Sequence, residues 1–339
     1  GHFKSRKTLE FINLLDCVTT SEDKDSFKRF AESILEFFQP DDRLTKSTDD
    51  YLVALKIFRF YVEAALANGN KSTHQELWRN DFSLTTASKK LMVERQNELV
   101  NLDIVKLANQ IFSDVDIPEI QNEVFSLMIA LLTGDNPTVQ LSFYNDFCKK
   151  TDSNELVCTK LFQKLKSILE SSINFIRNNI EKVSSINTKI KEGQAGDLDD
   201  DLEDKELCVA LDQKVLTVIK IYKFFTLLCD GHNPLLQNFL REQYPKNDIR
   251  ASLNINIVEY TAHVLSGLVK YLRPEVVDLG HSLMNFLIET VQGPCIENQN
   301  ELYETKIIDF CKDLMDEFKL STSFQIRSFE GESKVRLQK

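Results

Sequence analysis

The residues best suited to holding a cation lie between Asp197 and Glu206, where seven carboxylates fall in ten positions. A calcium loop of the EF-hand kind needs glycine at its tight turn and a bidentate glutamate at its end. A loop opening at Asp197 puts Leu202 and Cys208 at those places, so the run reads as a solvated acidic loop. The five histidines, His2, His74, His232, His263 and His281, are far apart and read as helix-core or capping residues. There is no glycine-rich phosphate loop, no His-Glu-x-x-His, no nucleophile elbow and no closely paired cysteine. The chain is therefore read as a non-enzyme with no cofactor of its own.

The seven cysteines, Cys17, Cys148, Cys158, Cys208, Cys229, Cys295 and Cys311, are odd in number, widely spaced and set mostly among apolar neighbours. That pattern is expected of reduced thiols in a cytosolic protein. A formal charge of −11, from 41 basic and 52 acidic residues, disfavours nucleic acid and anionic lipid as partners. The longest nearly unbroken apolar run, 125–132, falls well short of the roughly 20 residues that a membrane-spanning helix requires. Gly1-His2 reads as a cloning scar, and the chain as a piece of a longer protein.

Such a chain needs elements that bury its many apolar residues, and the spacing of those residues is helical. Phe27, Phe30, Ile34, Phe37 and Phe38 recur at three and four, as do Leu52, Leu55, Phe58 and Val62, and Val215, Val218, Ile219, Tyr222, Phe225 and Cys229. Only 10 Gly and 7 Pro punctuate the chain, and 23 Phe recur in helical phase. Breaks at Asp114–Pro118 and Gly134–Pro137 each end in a proline suited to a first helical turn. The expected fold is all-α: antiparallel helices stacked into an armadillo/HEAT-like solenoid, with an irregular helical bundle as the alternative. The expected organisation is a helical solenoid segment at 1–90, a second solenoid segment at 91–192, an acidic loop at 193–206, a helical domain at 207–320 and a tail at 321–339.

Three blocks carry a resemblance to a known family. Phe286 to Asn300 contains Glu289-x-x-Gln292-Gly293-Pro294-Cys295 followed by Glu297-Asn298-Gln299. Upstream lies Leu227-Leu228-Cys229-Asp230-Gly231-His232-Asn233, then Leu236-Gln237-Asn238-Phe239-Leu240-Arg241. A third block runs from Ile129 through Asp135-Asn136 to Gln140-x-Ser142-Phe143-Tyr144. The first two resemble the homology-associated domain of the inositol trisphosphate and ryanodine receptor family, and the third resembles the start of the third armadillo-type solenoid of its inositol trisphosphate receptor branch. The resemblance spans about Leu99 to Leu314.

The resemblance implies a cytosolic regulatory segment of a homotetrameric calcium-release channel, on the cytoplasmic face of the endoplasmic reticulum or a related calcium store. It implies that the segment transmits conformational change to the pore and contacts other domains and subunits of the channel. It also implies that Glu289 supplies part of a calcium site whose other ligands lie outside this chain. The residues alone give that glutamate a setting. A helix from about Val276 must end at Gly293-Pro294, placing Glu289 in its last turn beside expected free carbonyls. One glutamate cannot satisfy calcium's six to eight oxygens, so the isolated chain is expected to bind calcium weakly or not at all. The other class of reading is a soluble helical-repeat scaffold for protein partners, without a pore.

Overall fold

A computed structural model describes residues 24–38, 47–65, 85–191, 202–268, 273–312 and 315–316. Cys17, His2, His74, most of the acidic loop (193–201) and the tail at 321–339 lie outside them.

The described residues form helices, with no named strand among them. They are α1 Lys24–Phe37, α2 Thr48–Glu63, α3 Thr86–Asn101, α4 Ile104–Asp114, α5 Pro118–Leu132 and α6 Pro137–Phe147. After these come α7 Thr159–Lys191, α8 Leu202–Cys229, α9 Pro234–Arg241, α10 Ile257–Leu268, α11 Val277–Val291 and α12 Ile296–Glu304. The local signals are those the sequence carries. Proline opens α5, α6 and α9, where its missing N–H costs nothing. Ser47 and Asp50 form a reciprocal capping box on α2, and Asn136 and Asn233 cap α6 and α9.

The helices recur in threes. α3–α5, α6–α8 and α9–α11 are successive repeats, and α12 stands at the first position of another. The third helices α2, α5, α8 and α11 pack in series, the first helices α3, α6, α9 and α12 likewise, and α4 packs on α7. The architecture is thus the expected all-α armadillo-like solenoid, built of three-helix repeats. One boundary also differs. α8 begins at Leu202, a turn ahead of the expected Glu206, and packs along α7. The acidic segment therefore joins two helices of the same repeat.

One hydrophobic cluster runs from Phe27 to Ile307. The phenylalanines form its seam. Phe112 meets Phe125, Phe125 meets Phe224, Phe224 meets Phe143, and Phe143 meets Phe147, whose ring stacks on Phe239 at 5.6 Å. Phe224 also touches Phe225, which packs on Phe286 of α11. This chain of rings crosses all three repeats, and each fully buried ring contributes roughly 1.5–3 kcal/mol. Buried polar ties also cross between helices. Arg59 bonds Glu63 on its own helix at 2.9 Å and Glu123 of α5 at 2.6 Å, all three side chains being about nine-tenths buried.

Candidate functional site

The blocks around Gln237 and Glu289 are far apart in sequence, and the fold places them against each other at the junction of α9, α11 and α12. α11 ends at Val291, and its last turn carries Glu289. Gly293 follows with φ 79°, the left-handed conformation that ends a helix and that glycine adopts without strain. Helix-end carbonyls have no partner within the helix. Here they are bonded by amide side chains from the flanking helices.

Gln237 of α9, fully buried, donates its Nε2 to the carbonyls of Glu289 (2.7 Å) and Gln292 (2.9 Å). Asn298 of α12, also fully buried, donates Nδ2 to the carbonyls of Thr290 (2.9 Å) and Gln237 (3.0 Å). Gln299 donates Nε2 to those of Val291 (3.1 Å) and Gly293 (3.3 Å). Arg241 donates Nε to Asn298 Oδ1 at 2.8 Å and Nη2 to Asn238 Oδ1 at 3.1 Å. Cys295, buried at the start of α12, points its thiol at Asn238 Oδ1, 3.6 Å away, and burial pushes that thiol up. Phe239 and Leu240 belong to the aromatic and aliphatic core. Pro294 and Glu297 are exposed, Glu297 lying in the first turn of α12, where a carboxylate favours the helix dipole.

The expectation of free carbonyls beside Glu289 is corrected by this geometry: from residue 289 to residue 293, every carbonyl accepts a side-chain amide. For the carbonyls of Glu289, Thr290 and Gln292 the physical reason is burial, since an unpaired helix-end carbonyl away from water costs as much as a lost hydrogen bond.

This clamp is repeated through the solenoid. Gln96 of α3 donates to the carbonyls of Ala130 (3.1 Å) and Thr133 (2.8 Å) at the end of α5. Gln140 of α6 donates to those of Leu227 (3.1 Å) and Asp230 (2.8 Å) at the end of α8. In each case a glutamine on the first helix of a repeat holds the end of its third. At the first two junctions the next repeat's cap closes a latch: Asn136 donates Nδ2 to Gln96 Oε1 at 3.0 Å, and Asn233 to Gln140 Oε1 at 3.1 Å. At the third junction the corresponding position is Cys295, and Gln237 Oε1 is buried without a partner. Gly134 and Gly231, at φ 89° and 70°, are followed by Asp135 and His232, also at positive φ. Gly293 is followed by Pro294, whose ring forbids that conformation.

The same three turns gather charge. Asp230 and Asp135 share a hydrogen bond; burial, then Asp135 itself, pushes the Asp230 carboxyl up to about 7. Asp135 is held below the usual carboxylate range by that bond and by Lys89, 3.5 Å away. Glu289, half-buried, is raised first by burial and also by Asp135, and drawn down by His232 and Lys223. Its Oε1 accepts from Gln292 at 3.3 Å. Among the described residues no three His, Cys, Asp or Glu side chains are close enough to hold a metal ion, and the neighbouring carbonyls are already bonded.

Residues 212–315, which run from α8 through α12, match the protein-family model described as RyR and IP3R Homology associated. A curated protein, the inositol 1,4,5-trisphosphate receptor itr-1 of Caenorhabditis elegans, is 34% identical over 103 residues, 27% of this chain and 3% of the receptor. The chain therefore spans a small part of that relative's length. No helix among the described residues is long and apolar enough to cross a membrane.

Proposed function

We propose that this chain, with its RyR and IP3R homology-associated domain at 212–315, is a regulatory and coupling segment of an intracellular calcium-release channel. The observation that carries the reading is the clamp on Glu289: its backbone carbonyl is held by Gln237 at 2.7 Å while its carboxylate stays half-exposed. A carboxylate on so rigid a support transmits any force on it to the stacked repeats as rigid-body motion, the usual way packed helices relay a change.

In this reading Glu289 supplies one ligand to a calcium site completed by residues outside the chain. The other domains and subunits of a homotetramer lie against the solenoid surface, on the cytoplasmic face of a calcium-store membrane. A pore-free scaffold is the second reading. It is favoured by the exposed Ile296 and Tyr303 of α12 and by Ile308 just beyond, each more than half exposed, an apolar strip of the kind protein partners cover.

Calcium release from vesicles carrying the complete native protein separates the two. The channel reading expects release that stops when residues 212–315 are deleted while the protein still reaches the membrane. A complete protein that stays soluble and releases no calcium overturns it in favour of the scaffold.

A further inference from the structure

Apart from the clamped junctions, the described residues contain a cleft of about 400 Å³ between α7 and α10. α7 lines it with Glu170, Ile173, Asn174 and Arg177, and α10 with Tyr260, His263 and Val264. Both sets follow helical spacing, so the cleft is where the facing surfaces of two consecutive second helices separate. Its volume falls within the range of small-molecule sites.

The charges in the cleft are not balanced. Glu170 is 3.8 Å from Lys166, and His263 is 3.7 Å from Glu259, so each has a partner on its own helix. Arg177 has no ion pair among the described residues, and its Nε is buried with no hydrogen-bond acceptor. A guanidinium carries five donors, and a buried donor left unpaired is costly. The opposing helix makes room for it. A Cβ added at Gly267 would come within 2.7 Å of Arg177 Nη2. Gly267 stands in the last turn of α10 with ordinary helical backbone. The absent side chain leaves room for the guanidinium against the helix.

We propose that this cleft binds a small organic carboxylate, paired with Arg177 and resting its hydrocarbon part on Ile173 and Val264. Arginine's planar fork suits the two oxygens of a carboxylate. One guanidinium, with Glu170 at the rim, matches a single negative charge and opposes a doubly charged phosphate. Tyr260, whose phenol is pushed up to about 12 by burial and by Glu170, remains a hydrogen-bond donor at the same wall.

Calorimetric titration of the whole chain with benzoate, and with inorganic phosphate at matched ionic strength, tests the site. The expected result is saturable benzoate binding that weakens at least tenfold in Arg177→Gln and in Gly267→Ala, with phosphate at least tenfold weaker than benzoate. Circular dichroism should show both variants folded. Absence of benzoate binding, equal binding by Arg177→Gln, or phosphate binding as tight as benzoate would each overturn the proposal.

Discussion

Gln237 holds the carbonyl of Glu289 at 2.7 Å from a helix 52 positions away in sequence, and the side chain that makes this bond has no partner for its own oxygen. The junction is thus strong on one side and incomplete on the other. Its sister junctions, at Gln96 and Gln140, are complete on both.

Replacing Gln237 by leucine removes two bonds and leaves the carbonyls of Glu289 and Gln292 without their donor. The expected loss is about 2–3 kcal/mol of folding stability, measured by denaturant unfolding. Amide exchange should quicken first at Gln292 and Gly293. Gln140→Leu should cost at least as much, because it also orphans the Asn233 amide.

Cys295→Asn places a donor where the other two junctions have one, and asparagine is a preferred helix N-cap. Stability should rise by about 1 kcal/mol, visible as a higher Tm, while Cys295→Ala should give no gain. A fall in Tm with asparagine would mean that Pro294 keeps the cap too far from Gln237 Oε1.

Asp230 should give the fold a pH dependence of definite sign between about pH 4 and 7. Asp230 is raised to about 7 in the folded chain, against about 4 for an unperturbed aspartate. Folding therefore takes up a proton between those values. Stability from this group is fully present below about pH 4 and is lost as pH rises toward 7. Asp230→Asn should flatten that part of the stability curve and raise stability at pH 8, as read from urea midpoints across the range.

Arg59→Met should destabilise the chain by about 3–5 kcal/mol, because it leaves the buried carboxylates of Glu63 and Glu123 without their shared cation. Comparison with the triple replacement of Arg59, Glu63 and Glu123 by apolar residues, which should recover most of the loss, separates a pairing effect from a packing effect.

Much of the fold can be read from the residues. Helical spacing at Val215–Cys229, the prolines at 118 and 137, and the left-handed glycine at 293 each predict the element found there. The end of α11 beside Glu289 follows from Gly293-Pro294 alone. The three-helix period is harder to see, because α7 and α8 are far longer than their counterparts and stretch the repeat in sequence. Its signal is nonetheless present: Gly134-Asp135-Asn136-Pro137-x-x-Gln140 and Gly231-His232-Asn233-Pro234-x-x-Gln237 are one pattern written twice. The third copy keeps Gly293 and Gln299 but has Pro294-Cys295 between them, which hides it. The occupation of the helix-end carbonyls was not legible, since it depends on glutamines donated from a neighbouring helix, a long-range contact that local spacing does not encode. Nor was the proximity of Asp135, Asp230 and Glu289, which only stacking brings together.

Under the proposed function, Glu289 is a calcium-responsive lever within a channel. Its most direct test is the calcium dependence of open probability in the complete protein reconstituted in a bilayer, with and without Glu289→Gln. The expected result is unchanged conductance and an activation curve moved at least tenfold toward higher calcium. An activation curve that does not move, in a variant that still conducts, would contradict it.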